Sequence, residues 1–191
     1  RWEIPISEDD ASVGPKDARV TIVQFADFQC GYCRKLEQAM AAIRKTYAAE
    51  ARFVFKHYPM NPRCNPMVKN EKHKYACVAA AASECARRQG KFWPMHDLLY
   101  EHQNDWKDKF DVRPIYEGYA QQLGLDLDRY KRDVVGEAVA QRIFLDRKRG
   151  ESLGVSGTPT VFLNGREVPF ASLPPEKLRP ILQNTINAGG R

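Results

Sequence analysis

The chain has 191 residues, 43% of them hydrophobic and 28% charged, with a formal net charge of +6. That length can bury roughly two thirds of the unfolded surface, so no metal or disulfide staple is needed for folding. The apolar run Cys77-Val78-Ala79-Ala80-Ala81-Ala82 falls far short of the roughly 18 residues of a spanning helix. The basic residues are scattered. Their densest cluster, Arg142 with Arg147-Lys148-Arg149, lies near the end of a predicted helix and complements its dipole there, so no nucleic-acid partner is expected.

Residues 1–18 are polar, carry Pro5, Gly14 and Pro15, and read as an extended arm. The chain opens Arg1-Trp2-Glu3-Ile4-Pro5, with charge where a signal peptide would be apolar. Val20 to Ala26 is short and β-branched, the pattern of a buried strand. A helix follows from the Cys30 region, with Leu36, Met40, Ile43 and Tyr47 forming one apolar stripe. Arg52 to Lys56 is a second strand, so strand–helix–strand predicts a parallel pair with a right-handed crossover. From about Pro62 to Gly154 the pattern is wholly helical. Predicted helices cover Lys74–Arg88, Phe92–His102, Pro114–Leu123 and one long stretch from Asp126 to about Glu151. Strands return at Thr160–Leu163 and Arg166–Phe170, joined by Asn164-Gly165, a strong hairpin signal. Pro174-Pro175 opens a final helix with Leu178, Ile181, Leu182 and Ile186 inward, ended by Gly189-Gly190. This order describes an α/β sandwich with an inserted helical lid.

Chemistry concentrates at Cys30-Gly31-Tyr32-Cys33, directly after a strand and opening a helix. Residues three apart on a helix are neighbours, so both sulfurs can meet. Near the helix start, unpaired N–H groups and the dipole favour a thiolate at Cys30. Arg34 and Lys35 add positive charge nearby. Cys33, one turn in, is placed as the more buried, resolving thiol. A lone Cys-x-x-Cys also serves zinc sites and inert disulfides; strand before, helix after and a distant hairpin favour redox chemistry. A second signal is Gly157-Thr158-Pro159-Thr160, a proline at a strand entrance.

Phe25-x-x-Phe28-x-Cys30-Gly31-Tyr32-Cys33 together with Gly157-Thr158-Pro159-Thr160 resembles the DsbA-like branch of the thioredoxin superfamily. The resemblance spans about residues 18 to 188. It implies an α/β thioredoxin fold with an inserted all-helical domain: an arm at 1–18, a discontinuous thioredoxin-like domain at 19–61 and 155–191, and a helical insertion at 62–154. It implies that Pro159 is cis against the cysteine pair, and that Thr158 and Pro159, with Gly31 and Tyr32, meet an extended substrate segment. Many relatives carry an acid six positions before the first cysteine; here that position is Gln24. Whether Asp27 faces the site is left open. Gly31-Tyr32 and Thr158 resemble periplasmic disulfide isomerases, and no His stands inside the motif as in strongly oxidising relatives.

Cys77 and Cys85 lie eight residues apart on one predicted helix, a rise of about 12 Å, too far for a disulfide. Cys64, in a loop with Pro62 and Pro66, can fold back on either. Cys64–Cys77 is the preferred structural pair, with Cys85 a small buried hydrophobe. Three free thiols, or a second relay pair, are the alternatives. The stretch from Cys64-Asn65 to Lys91-Phe92-Trp93 resembles domains linked to vitamin K epoxide reductase-type membrane partners, which implies a quinone-linked reoxidant. His57, His73, His96 and His102 form no metal-ligand spacing; His57 could approach the site, and Trp93, Tyr100 and Trp106 read as lid core.

The expected function is protein thiol–disulfide exchange in an extracytoplasmic, periplasm-like compartment, with the signal or anchor outside this numbering. No cofactor is expected. The substrates are protein or peptide thiols and disulfides. The length leaves no room for a dimerisation domain, favouring a monomeric dithiol oxidase. A reductase or isomerase with the same site is the alternative; a redox-inert zinc- or peptide-binding module is the alternative from another class.

Overall fold

A computed structural model describes residues 2–189 of the chain. Five strands form one sheet in the order β1-β3-β2-β4-β5. At its centre β2 (Val20–Ala26) runs parallel to β3 (Ala51–His57) and antiparallel to β4 (Thr160–Leu163). Between β2 and β3 lies α1 (Gly31–Thr46), the expected crossover. Asn164-Gly165, with φ of 47° and 75°, turns β4 into β5 (Arg166–Val168). The second hairpin strand is shorter than expected. Pro169 has no N–H to extend the ladder, and Phe170–Ser172 is a 3-10 turn. The chain returns through α8 (Pro175–Asn187); Gly190, expected to help end that helix, lies outside the described residues.

The central strands are buried on both faces, and the period of two along each strand sorts their side chains. Ile22, Phe53 and Val161 meet Leu36, Met40 and Ile43 of α1 and Leu178 and Leu182 of α8. Val23, Val54 and Phe162 point the other way, toward Tyr58, Leu153 and Val155.

Two expectations need correction. The arm is not merely extended: Ala11–Val13 forms β1, antiparallel to the edge of β3, with Ser12 opposite Val54. Asp10, just before it, pairs with buried Lys56, which also lies 3.3 Å from Asp146; Arg142 reaches Asp10 at 3.1 Å. Arg142 and Arg147, the latter on Glu151 at 2.9 Å, are thus engaged in internal ion pairs. The long helix expected from Asp126 is two, α6 (Leu127–Asp133) and α7 (Glu137–Ser152). Gly136 sits between them in an extended conformation, φ −83° and ψ 151°, and starts the second. The remaining helices between β3 and β4 are α2 (Ala76–Arg87), α3 (Phe92–Glu101), the short α4 (Gln103–Trp106) and α5 (Arg113–Gln122). They bury Ala79, Ala82, Met95, Leu99 and Trp106 together with Phe28 and Phe55 of the sheet side.

Candidate active site

Cys30 is the N-cap of α1, and its sulfur accepts the Cys33 backbone N–H at 3.4 Å. A side chain that caps a helix takes up an otherwise unpaired donor, and a thiolate does so better than a thiol. The Cys30 thiol also lies 3.4 Å from the Thr158 carbonyl that it can donate to. Both Cys30 and Cys33 are unbonded thiols; Cys30 is 5% exposed and Cys33 0%. The Cys30 pKa is lowered to about 6, chiefly by the hydrogen bond from the Cys33 thiol. Burial opposes this; the Thr158 side chain and the Cys33 N–H reinforce it, and the Asp27 charge resists it. Burial, then the hydrogen bond and charge of Cys30, push Cys33 well above the ordinary thiol range. The two sulfurs are therefore driven apart in acidity, one poised to ionise and one to hold its proton.

The Thr158–Pro159 peptide is cis. Pro159 lines an apolar hollow of about 220 Å³ with Tyr32, Leu36, Phe170 and Leu173. Tyr32 is 61% exposed and meets Phe170 edge-on at 5.5 Å, so an exposed aromatic pair flanks Pro159 and the first turn of α1, while the cysteines themselves are buried. Above Gly31 there is free space for an approaching chain.

Three further groups surround the pair. Asp27, its side chain fully buried, accepts from Gln29 N (2.7 Å), Met60 N (2.8 Å) and His73 Nδ1 (2.7 Å). Asp27 also accepts the Cys30 N–H on its backbone carbonyl at 3.1 Å, so it does belong to the site. Burial disfavours the His73 imidazolium, but the hydrogen bond and charge of Asp27, with the charge of Cys30, raise its pKa overall. Gln103 of α4 donates to the carbonyls of Phe28 (2.6 Å) and Cys30 (3.1 Å), clamping the turn that aims the first sulfur. Gln29 binds Tyr75 N and the Lys107 carbonyl. His73, Tyr75, Gln103 and Lys107 are all far from Cys30 in sequence; only Asp27 and Gln29, three residues and one residue before it, are local. Gln24 is buried in β2 with an unpartnered amide nitrogen.

Cys64 and Cys77 are joined in a disulfide, Cα atoms 6.0 Å apart, and so are not available as zinc ligands. Cys85 is a buried free thiol whose pKa burial pushes up to about 12. Among the described residues no group of three or more His, Cys, Asp or Glu could hold a metal. His57 does not reach the sulfurs; it is buried against Glu84 at 2.9 Å, while Tyr100 and Trp106 are buried in the helical core.

A thiol pair straddling the first turn of a helix, on a sheet whose next-to-edge strand enters through a cis-proline, defines a protein of the thioredoxin class. The chain belongs to the thioredoxin family, whose model matches residues 7–184. Its fold is the one shared by DsbA-like thiol–disulfide oxidoreductases. BdbD from Bacillus subtilis, in its oxidised form, superposes with a TM-score of 0.76 at 20% identity over 94% of each chain. Alpha-DsbA1 from Wolbachia pipientis gives 0.77 at 15% identity over 97% of this chain and 94% of its own. In sequence, the chain is 39% identical over 164 residues to Na(+)/H(+) antiporter NhaA 3 of Salinispora tropica, covering 85% of this chain and 23% of the antiporter. It thus spans about a quarter of the length of the curated relatives it matches. No helix of the described residues is long and apolar enough to cross a membrane.

Proposed function

We propose that the chain is an extracytoplasmic protein-disulfide oxidoreductase that acts as a dithiol oxidase through Cys30 and Cys33. The observation that carries this is the placement of the two thiols: Cys30 caps the start of α1 and accepts the Cys33 N–H at 3.4 Å, while Cys33 is fully buried one turn behind it, an arrangement that lowers the Cys30 pKa to about 6 and raises that of Cys33. In the oxidised protein a substrate thiolate attacks the Cys30 sulfur. The Cys30–Cys33 bond breaks, and Cys33 leaves and takes up a proton. A second substrate thiolate then attacks the substrate sulfur of the mixed disulfide and expels Cys30. A thiol acidic enough to be a thiolate near neutral pH is a good leaving group, which drives the sequence toward substrate oxidation. The substrate loses two electrons and two protons, and the protein gains both electrons. A quinone-linked membrane partner is proposed to remove them. Thr158 and Pro159, with Gly31 and Tyr32, form the surface on which the substrate chain lies, and the monomer is the proposed working unit. The Cys64–Cys77 disulfide supports an oxidising compartment.

Gly31-Tyr32 and the lack of a His within the motif favour a second reading, reductase or isomerase with the same site. The reduction potential decides direction: about −120 mV marks an oxidase and about −270 mV a reductase. Cys30→Ala is expected to abolish both oxidation of reduced peptides and insulin reduction. A Cys30→Ala protein as active as the parent would refute the oxidoreductase reading and leave a redox-inert binding module.

A further inference from the structure

A groove of about 390 Å³ runs between the loop closed by the Cys64–Cys77 disulfide and the loop that leads to Thr158. Its apolar part is Met60, Val68 and Met67, the last 56% exposed. One wall is Val155 and Ser156, two and three residues before Thr158, so the groove opens within about 10 Å of the carbonyl facing Cys30. That wall is fixed, because Tyr58 donates to the Val155 carbonyl at 2.6 Å. The other wall carries Lys69 and Lys72. Lys72 adjoins His73, which sits on Asp27 beside the sulfurs.

The charge of this groove is unbalanced. Glu71, the acid between the two lysines, leans to Arg63 at 3.8 Å and accepts from Asn61 at 3.1 Å. Glu151, on the groove's far side, is engaged by Arg147 at 2.9 Å and Lys148 at 3.2 Å. Among the described residues neither Lys69 nor Lys72 forms an ion pair. Across the site the hollow at Tyr32 and Phe170 has an almost wholly apolar surface and one lining cation, Lys35, over the Tyr32 ring at 5.6 Å, against two lysines in the groove.

Resting on the oxidoreductase reading above, we propose that this groove selects substrates by charge: it takes an extended segment bearing Asp or Glu within a few residues of the reacting cysteine. The apolar floor receives the neighbouring side chain, and the two lysines receive the carboxylate. Unpaired cations lining a concave surface raise the local concentration of an anionic segment and steer its approach, an effect that salt screens.

The test uses single-cysteine octapeptides carrying two Glu, two Gln or two Lys on one side of the cysteine, in both orientations. Each is reacted with the oxidised protein, and the rate of mixed-disulfide formation is normalised to the peptide's rate with hydroxyethyl disulfide, which removes differences in thiol acidity. At low salt one orientation of the Glu peptide is expected to react about tenfold faster than its Lys counterpart. The gap closes at about 0.5 M salt, where the screening length is only a few ångströms, and in Lys69→Glu/Lys72→Glu. It persists in Lys45→Glu/Lys91→Glu, which changes net charge equally outside the groove. Equal normalised rates for Glu and Lys peptides, or a gap untouched by the groove variant, would overturn the proposal while the Gln peptide still reacts. Failure of all three peptides would overturn the oxidoreductase reading, and this proposal with it.

Discussion

The acidity of Cys30 is a balance among neighbours, and one of them works against it. A buried carboxylate beside a thiol disfavours the thiolate, and Asp27 does so here. His73 sits on that carboxylate at 2.7 Å and counters its charge where Cys30 feels it. His73→Ala should therefore leave Asp27 unopposed and raise the Cys30 pKa by roughly one unit. The change is read from the pH dependence of thiolate absorbance or of alkylation by iodoacetamide. His73→Lys should restore a value near the parent's about 6. A profile unmoved by His73→Ala would show that the imidazole only packs. The same pair shows why residue-level chemistry was only partly legible. Cys30 and Cys33 announce themselves by spacing and by the strand before them. Asp27 and His73 are 46 positions apart, and no local pattern joins them; a loop closed at Cys64–Cys77 does.

Elements show the same division between local and distant causes. The β-branched run of β2, the apolar stripe of α1 and the Asn164-Gly165 turn are each written in a few adjacent residues, and each forms where expected. β1 has three residues, Ala-Ser-Val, and holds its shape only through the edge of β3, so its sequence reads as arm. The break between α6 and α7 was hidden because the apolar spacing of Leu127, Tyr130, Val134 and Ala138 continues through it while Gly136 turns out of the helix. A second glycine, Gly150 in α7, marks a contact rather than a break. A Cβ there would meet the Tyr58 ring at 2.7 Å and the Phe25 ring at 3.1 Å, both rings being fully buried. Gly150→Ala should lower stability by up to about 2 kcal/mol, overpacking of about 1–3 kcal/mol being set against the roughly 1 kcal/mol gain in helix propensity. The urea midpoint measures it. Because Tyr58 also holds the Val155 carbonyl at 2.6 Å, the variant should slow exchange as well. A Gly150→Ala protein as stable and as fast as the parent would mean the α7–sheet contact has slack.

For the whole molecule, redox chemistry and folding stability are linked through the same proton. The reduced protein carries Cys30 with a folded pKa of about 6 against an ordinary thiol value of 9.0, whereas in the oxidised protein that sulfur does not titrate. A folded pKa below the unfolded one adds stability that is complete above the unfolded value and disappears as pH falls through the folded one. Cys33 shifts upward, so it begins to act only above the ordinary thiol range and leaves the window below 9.0 to Cys30. Raising the pH from about 6 to about 9 should therefore stabilise the reduced form relative to the oxidised form. A form that gains stability on reduction is a stronger oxidant, so the reduction potential should fall less steeply with pH in this window than for a dithiol whose two protons both stay bound. Thermal unfolding of both forms across this window gives the first quantity and equilibration with a glutathione buffer the second. A Tm difference that stays flat over that range would mean the folded protein does not stabilise the Cys30 thiolate, and the oxidase direction would lose its physical cause.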